Sequence, residues 1–168
     1  LERLRILSQA DPQRIAMSAT VGNPDRMMKW LNGSSERSCV IVADGRKVSR
    51  HMEVFTEGEI EPVDYLLKLL KGTREKILVF SYSRSKAEEF AAIASPLGIN
   101  VPVHHSSVSK SQRGRIEEDF KNNPDLRVVV ATSTLEMGID IGDIDRVIFL
   151  ELPSSAASFL QMAGRSGR

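Results

Sequence analysis

Short apolar runs alternate with helix-type patterns along the whole chain. Several of these runs are continuously apolar over four or five residues, which is typical of parallel strands covered on both faces. The predicted strands are residues 14–17, 39–42, 76–80, 101–103, 127–131 and 146–150. Strands that alternate with helices indicate an α/β fold, in which helices flank a parallel sheet.

The segments between these strands carry helix signals. Ala87, Phe90, Ala91 and Ala94 recur at the spacing of one helical face, and Gly98 follows as a stop signal. The other predicted helices cover residues 25–31 and residues 63–70, the latter opened by Pro62 and ended by Gly72. Ser109 and Gln112 open a further helix as a capping box, and Ser154 or Ser155 opens the last one towards Met162.

A small, polar stretch at residues 33–38 has the composition of a linker. The pattern before it contains one strand and one helix, which are too few to enclose a core. We therefore expect residues 1–35 to be the tail of a preceding domain with its linker. Residues 36–168 are expected to form a nearly complete second domain.

Composition and charge leave most functions open, but they indicate whether the chain spans a membrane, how it could bind nucleic acid and which redox compartment it suits. Of the 168 residues, 41% are hydrophobic and 27% charged, as in an ordinary soluble domain, and no apolar run is long enough to predict a membrane span. The net charge of +1 means that any nucleic acid must bind to a local face. Cys39 is the only cysteine, which fits a reducing cytoplasm, and its apolar neighbours predict a buried strand position.

Hydroxyl and basic residues cluster directly after four predicted strands, at residues 18–20, 81–84, 104–107 and 132–134. Open α/β sheets bind ligands outside the carboxyl ends of their strands. All but the first cluster are expected along one edge of one sheet, as a row of donors suited to phosphate oxygens. The plainer alternative is that each hydroxyl caps the helix that follows it.

The neighbouring pair His104 and His105 does not predict a metal site. Adjacent side chains on an extended segment point to opposite faces, and no Cys or acidic residue lies at ligand spacing.

The last eight residues, 161–168, read QMAGRSGR. Arg165 and Arg168 each follow a glycine, which lets the backbone approach a ligand, and a guanidinium can bind two phosphate oxygens at once. An arginine inserted in this way contributes about 10³–10⁵ in rate to phosphoryl transfer in GTPases. The alternative is a basic tail, but the spacing and the upstream clusters favour phosphate chemistry.

In order along the chain, these segments resemble the motifs of superfamily 2 DEAD/DEAH-type helicases. Residues 18–20 are similar to motif III, 79–83 to motif IV, 112–113 to motif IVa, 129–140 to motif V and 161–168 to motif VI. Residues 18–24, 104–109 and 135–142 look most like the large helicase-related (Lhr) and Ski-type helicases. The resemblance implies that residues 36–168 form the second RecA-like lobe and that residues 1–35 are a remnant of the first.

The resemblance also implies roles for single residues. Those that would bind ATP are Gly138, Asp140, Gln161, Arg165 and Arg168, of which the two arginines would be catalytic. Those that would hold the phosphates of a single strand are Ser81, Arg84, His105, Arg113, Thr132 and Ser133. Ser18 and Thr20 would couple the nucleotide state to contacts between the lobes, and the missing first lobe would hold most of the ATP and its Mg²⁺.

The function that this implies is an ATP-dependent motor, a cytoplasmic monomer that moves 3′ to 5′ on DNA or on RNA–DNA hybrids. Its partners would be single-stranded or partly duplex nucleic acid and its own first lobe. The sequence contains neither G-x-x-x-x-G-K-[ST] nor an Asp-Glu dipeptide, so the chain alone is not expected to hydrolyse ATP. One alternative is a helicase-like binding module without ATPase activity. Another, an independent α/β nucleotide-binding enzyme, is disfavoured because no G-x-G-x-x-G follows a strand.

Overall fold

The chain divides into two units, Leu1–Lys47 and Val48–Arg168. The computed structural model describes residues 1–18, 20–43, 51–56, 58–72, 74–135 and 141–167. The predicted boundary near residue 35 lies inside the first unit. The linker-like stretch is tied to that unit, because Ser35 Oγ donates a hydrogen bond of 2.8 Å to Asp11 Oδ2 and the Glu36 N–H donates to the same oxygen.

Arg14 joins the two helices of the first unit, α1 (Glu2–Ser8) and α2 (Pro24–Asn32). Its Nη1 donates to the Leu31 carbonyl at 3.0 Å and to Glu2 Oε1 at 2.7 Å. Hydrogen bonds from Ser34, and then the one from Arg14, lower the pKa of Glu2 to about 2. The predicted helix at residues 25–31 is thus confirmed as α2, whereas the pattern did not predict α1.

The two strand predictions made for this unit, at residues 14–17 and 39–42, are wrong. Residues 14–17 and 39–42 form neither strand nor helix, and Met17 and Val42 are 94% and 90% exposed. Cys39 is also exposed, against the prediction of a buried strand position. A strand needs a neighbouring strand to pair with, and the described part of this unit contains no paired strand.

The second unit alternates strands and helices as predicted. Its elements in chain order are α3 (Pro62–Gly72), β1 (Ile77–Phe80), α4 (Arg84–Ala94), β2 (Val103–His104), α5 (Lys110–Asn122), β3 (Val128–Ala131), β4 (Arg146–Phe149) and α6 (Ala156–Ala163). Short 3₁₀ helices at Ser95–Leu97 and Ser133–Leu135 follow α4 and β3. None of the helices among the described residues is long and apolar enough to cross a membrane.

The four strands form one parallel sheet in the order β2-β3-β1-β4. The last residues of the strands pair in register, because Phe80 lies opposite both Ala131 and Phe149, and His104 lies opposite Ala131. The carboxyl ends of the four strands therefore form one level row. Strand β2 lies slightly later than the predicted 101–103, and Val101 is buried just before it.

Both faces of the sheet are covered, as continuously apolar strands predict. Ile77 and Val79 face a cluster with residues of α3 and α4, including Leu66 and Phe90. The intervening strand residues face a second cluster that contains residues of α5 and α6. This arrangement confirms the predicted α/β fold.

Local helix signals in the second unit also match the structure. The apolar stripe of α4 packs into the core, and Gly98, at φ 79°, ends the 3₁₀ turn that follows this helix. Ser109 Oγ accepts the N–H of Gln112 at the start of α5, and Ser155 Oγ accepts the N–H of Ser158 at the start of α6.

Candidate functional site

The neighbouring strands β1 and β3 send their connections to opposite faces of the sheet. β1 continues into α4, which packs on one face, whereas β3 continues into the 3₁₀ helix whose Leu135 packs on the other. Such a topological switch opens a crevice at the carboxyl ends of the two strands, where open α/β sheets bind their ligands. Ser81 and Thr132 are the first residues beyond these two strand ends.

Glu151 closes the turn that follows β1. Its Oε2 accepts hydrogen bonds from the Ser81 hydroxyl at 3.2 Å and from the Tyr82 N–H at 3.1 Å. Its Oε1 lies 2.9 Å from Lys86 Nζ on α4. Ser81, predicted to hold a phosphate, is only 2% exposed, and its hydroxyl is directed to acceptors of the protein itself.

The Glu151 carboxylate is held in its charged form. Burial on its own would raise its pKa, but the hydrogen bonds from Lys86, Tyr82 and Ser81 outweigh that effect, and the pKa lies below its ordinary value. Two donors of the turn after β1 and the ammonium of Lys86 on α4 therefore surround a negative charge at neutral pH.

Arg84 links the loops after β1 and β2. Its Nη1 donates to Ser107 Oγ at 2.6 Å, and Arg84 is itself exposed at the start of α4. Because β3 lies between β1 and β2 in the sheet, this hydrogen bond joins the two sides of the β3 end. An exposed guanidinium and a hydroxyl thus lie at the predicted edge.

The two histidines bind different partners, as their opposite directions predict. His104 Nε2 lies 2.8 Å from Glu117 Oε1, and its Nδ1 lies 2.8 Å from Thr134 Oγ1. His105 Nε2 lies 3.0 Å from Glu88 Oε1. Within the described residues, no group of three or more His, Cys, Asp or Glu side chains is arranged to hold a metal ion.

His104 is enclosed at the end of β2, the outermost strand on one side of the sheet, with 1% of its surface exposed. Burial lowers its pKa, and the hydrogen bond to Glu117 opposes that effect only in part. A neutral imidazole with its proton on Nε2 can donate to Glu117. Nδ1 and the His104 carbonyl, at 2.8 and 3.0 Å from Thr134 Oγ1, then compete for the single proton of the Thr134 hydroxyl.

The other residues predicted to contact a nucleic-acid strand lie nearby but differ in their exposure to solvent. Thr132 is buried, and its N–H donates to the His104 carbonyl at 3.1 Å. Ser133 is exposed at the start of the 3₁₀ helix, and His105 is buried. Arg113 is half-buried on α5, which connects β2 to β3.

Some of the residues predicted to bind ATP lie outside the described part of the chain. Gly138, Asp140 and Arg168 lie outside the described residues. Gln161 is half-buried near the end of α6, and Arg165 is buried just beyond that end, with its N–H donating to the Met162 carbonyl.

Gly164 and Gly167, which precede the two arginines, are each favoured for a different structural reason. A Cβ on Gly164 would lie 2.9 Å from the Leu160 carbonyl oxygen, so the backbone of α6 itself excludes a side chain there. Gly167 has a φ of 74°, in the left-handed region that favours glycine. The pattern predicted close approach to a ligand, whereas the contact at Gly164 is with the chain's own helix.

Ser18 and Thr20 lie in the first unit, on either side of Ala19, which is outside the described residues. Ser18 Oγ accepts the Thr20 N–H at 3.3 Å and lies 3.0 Å from the Thr20 carbonyl oxygen. Their hydroxyl-to-backbone contacts form a local turn.

Sequence reasoning missed the acidic partners of the site. These are Glu88, Glu117 and Glu151. Glu151 had a usable signal, because it follows a predicted strand and so falls under the same strand-end rule as the serines. The other two lie on helices, and nothing in the local pattern pairs them with a histidine.

The comparisons with known proteins agree with this arrangement. Residues 60–168 match the family model described as the helicase conserved C-terminal domain. The chain belongs to this family. Its second unit has the RecA-like fold of helicase C-terminal lobes, as the resemblance predicted.

The relatives include Lhr-type helicases. The ATP-dependent helicase Lhr-Core of Methanocaldococcus jannaschii is 36% identical over 183 residues, covering 99% of this chain and 21% of that protein. The Lhr helicase/probable uracil glycosylase of Mycolicibacterium smegmatis is 33% identical over 210 residues, covering 99% of this chain and 14% of that protein. The chain therefore spans about a fifth or less of the length of these relatives.

A solved structure shares the fold at similar identity. The structure of Mycobacterium smegmatis helicase Lhr bound to ssDNA and AMP-PNP is 33% identical, with a TM-score of 0.70, and covers 98% of this chain and 23% of that one. These findings confirm the predicted resemblance to the Lhr helicases.

Proposed function

We propose that this chain is the second motor lobe of an ATP-dependent helicase of the Lhr type. The observation that carries the proposal is the level row of strand ends, with an exposed guanidinium and exposed hydroxyls just beyond the ends of β1, β2 and β3. Side chains of this kind bind nucleic acid through its backbone phosphates. The family match supports the motor rather than a static binding role.

In this proposal the carboxyl edge of the sheet holds one strand of nucleic acid. Arg84 and Ser133 are exposed and can reach phosphate oxygens directly, whereas the buried His105 and Thr132 shape the loops that present them. Arg113 would add a positive charge from α5. By family resemblance, the strand would be DNA, alone or in an RNA–DNA hybrid, and the motor would move 3′ to 5′.

The second part of the proposal concerns the end of α6. Its described donors, the amide of Gln161 and the guanidinium of Arg165, suit the phosphates of a nucleotide. ATP, held with Mg²⁺ mainly by a first lobe, supplies a γ-phosphoryl group whose transfer to water spreads negative charge over its oxygens. Arg165 would neutralise that charge, with Arg168, Gly138 and Asp140 as the further proposed contacts.

Ser18 and Thr20 are proposed to link the nucleotide state to the contacts between lobes. Closure of two lobes around a nucleotide and their release after hydrolysis would shift the strand contacts stepwise. The coupling role of Gln161 belongs to the same proposal.

Arg165→Ala tests the proposed arginine finger in the full-length protein. We expect strand-stimulated ATPase activity to fall by roughly 10³-fold or more, because a neutral methyl group leaves the developing phosphate charge unbalanced. Single-strand binding, measured by fluorescence anisotropy, should change by less than about threefold, since this arginine is proposed to act on the nucleotide.

Arg74→Ala is the matched control, because Arg74 is exposed before β1, at the opposite, amino edge of the sheet. It should leave ATPase activity within about twofold of wild type. Arg165 is buried, so thermal unfolding of each variant shows whether the fold is intact. Wild-type turnover by a folded Arg165→Ala protein would refute the assignment.

A further inference from the structure

Glu151 binds to hydrogen-bond donors of the kinds that also bind phosphate oxygens. Its carboxylate accepts the main-chain N–H of Tyr82 at 3.1 Å and lies 2.9 Å from the ammonium of Lys86. It also lies 3.2 Å from the Ser81 hydroxyl, whose single proton the Ser83 carbonyl, at 3.1 Å, can accept instead. Carboxylate and phosphate oxygens accept hydrogen bonds from the same kinds of donor. The proposed function places a single strand of nucleic acid along this edge of the sheet, where a negative side chain already lies.

A phosphate and the Glu151 carboxylate cannot share these donors without cost. The Ser81 hydroxyl has one proton, and two negative groups a few ångströms apart repel each other. The lowered pKa of Glu151 keeps the carboxylate charged, so it does not yield the place by becoming neutral at physiological pH.

Glu151 can leave this position without disturbing the sheet. It lies in the irregular segment between β4 and α6, and its side chain keeps 26% of its surface exposed. The backbone beside it stays fixed, because the Leu150 N–H donates to the Phe80 carbonyl at 2.9 Å. A change of side-chain rotamer is enough to move the carboxylate, and Lys86, 58% exposed, can follow a new anion.

We propose that Glu151 is an internal competitor for the backbone phosphate of the bound strand. In the strand-free protein it fills the donors of the β1 turn, and strand binding displaces it and releases Lys86 to the phosphate. This inference rests on the proposed function, since it concerns the same strand-binding edge. It makes Glu151 a residue that sets how tightly the lobe holds and how readily it releases the strand.

Glu151→Gln in the full-length protein tests the competition. Glutamine keeps the shape and an acceptor oxygen for Ser81 and Tyr82 but removes the charge and the ion pair with Lys86. We expect single-stranded DNA to bind about two- to fivefold more tightly, the effect of a part-exposed ion pair. The slope of log Kd against log salt should steepen by about 0.7, because no freed Glu151 carboxylate takes up a cation when the strand binds, so the net ion release rises by that of about one phosphate contact.

Glu89→Gln is the matched control, because Glu89 is exposed on α4 and carries the same charge close by. It should leave the salt slope unchanged. Lys86→Gln is the second variant, and it should weaken strand binding and abolish the gain when combined with Glu151→Gln. Thermal unfolding shows that each variant is folded.

The outcomes separate the two proposals. Tighter binding by Glu151→Gln but not by Glu89→Gln supports the competitor. Unchanged or weaker binding by Glu151→Gln, in a protein whose wild type binds the strand, overturns the competitor and leaves the helicase proposal standing. If Glu151→Gln is unfolded, wild-type binding by Lys86→Gln overturns the competitor instead. A wild type that binds no strand overturns the helicase proposal, and the competitor with it.

Discussion

His104 shows how a single side chain connects several elements of the site. The imidazole lies on β2, contacts Glu117 of α5 and contacts Thr134 beyond β3. Because burial lowers its pKa, protonation is less favourable in the folded protein than in the unfolded chain. The folded state is therefore fully stabilised by this residue only above the unfolded pKa of about 6.5.

The free energy of unfolding should accordingly fall as the pH drops below about 6.5, until the folded pKa is passed. Across this window the unfolded chain binds more protons than the folded one. His104→Gln removes the titrating group, so its urea-unfolding midpoint should depend less on pH between about pH 8 and about pH 5.

Wild type is the reference for this measurement. An equal loss of stability with falling pH in wild type and in His104→Gln would contradict the assignment to His104.

At the residue scale, the sequence predicted where the site residues lie better than it predicted which residues they contact. The strand-end rule led to Ser81, Arg84 and Thr132, and the structure places all of them at the carboxyl edge. It did not predict that Ser81 is buried and bound to Glu151, which is 70 residues away in the sequence. Local pattern shows where a chain turns, whereas long-range hydrogen bonds depend on which strands become neighbours.

The start of helix α5 depends on one hydroxyl. Ser109 Oγ accepts the Gln112 N–H at 3.3 Å and lies 3.0 Å from Gln112 Oε1, in the capping-box spacing that the sequence predicted. Ser109→Ala should lower the free energy of unfolding by about 1 kcal/mol, because an N–H of the first turn loses its acceptor. Urea denaturation measures this difference.

Ser106→Ala is the matched control, since Ser106 is an exposed hydroxyl in the turn before α5. It should change the free energy of unfolding by less than about 0.5 kcal/mol. Equal stability of Ser109→Ala and wild type would show that the cap contributes nothing measurable.

At the element scale, apolar runs predicted strands only where other strands stood beside them. All four predicted strands of the second unit are present, with β2 placed slightly later. The runs at residues 14–17 and 39–42 are equally apolar, yet Met17 and Val42 are exposed. Helix α1 was missed because Leu1 precedes it and provides no side-chain cap, so its start lacks a local signal.

For the whole molecule, the order of the strands decides where ligands can bind. The alternation of elements predicts a parallel sheet, but it does not give the order β2-β3-β1-β4, on which the crevice between β1 and β3 depends. A net charge of +1 also means that any binding of nucleic acid would come from a local face, for which we propose this edge, rather than from a general positive field.

This lobe is proposed to be part of a strand-stimulated ATPase. The most direct test is the ATPase rate of the full-length protein with no nucleic acid, with single-stranded DNA and with single-stranded RNA. We predict stimulation by at least one of the two strands, and the stronger activator identifies the strand that the motor follows. No hydrolysis by the folded protein under any of the three conditions would contradict the account and favour a helicase-like binding module without ATPase activity.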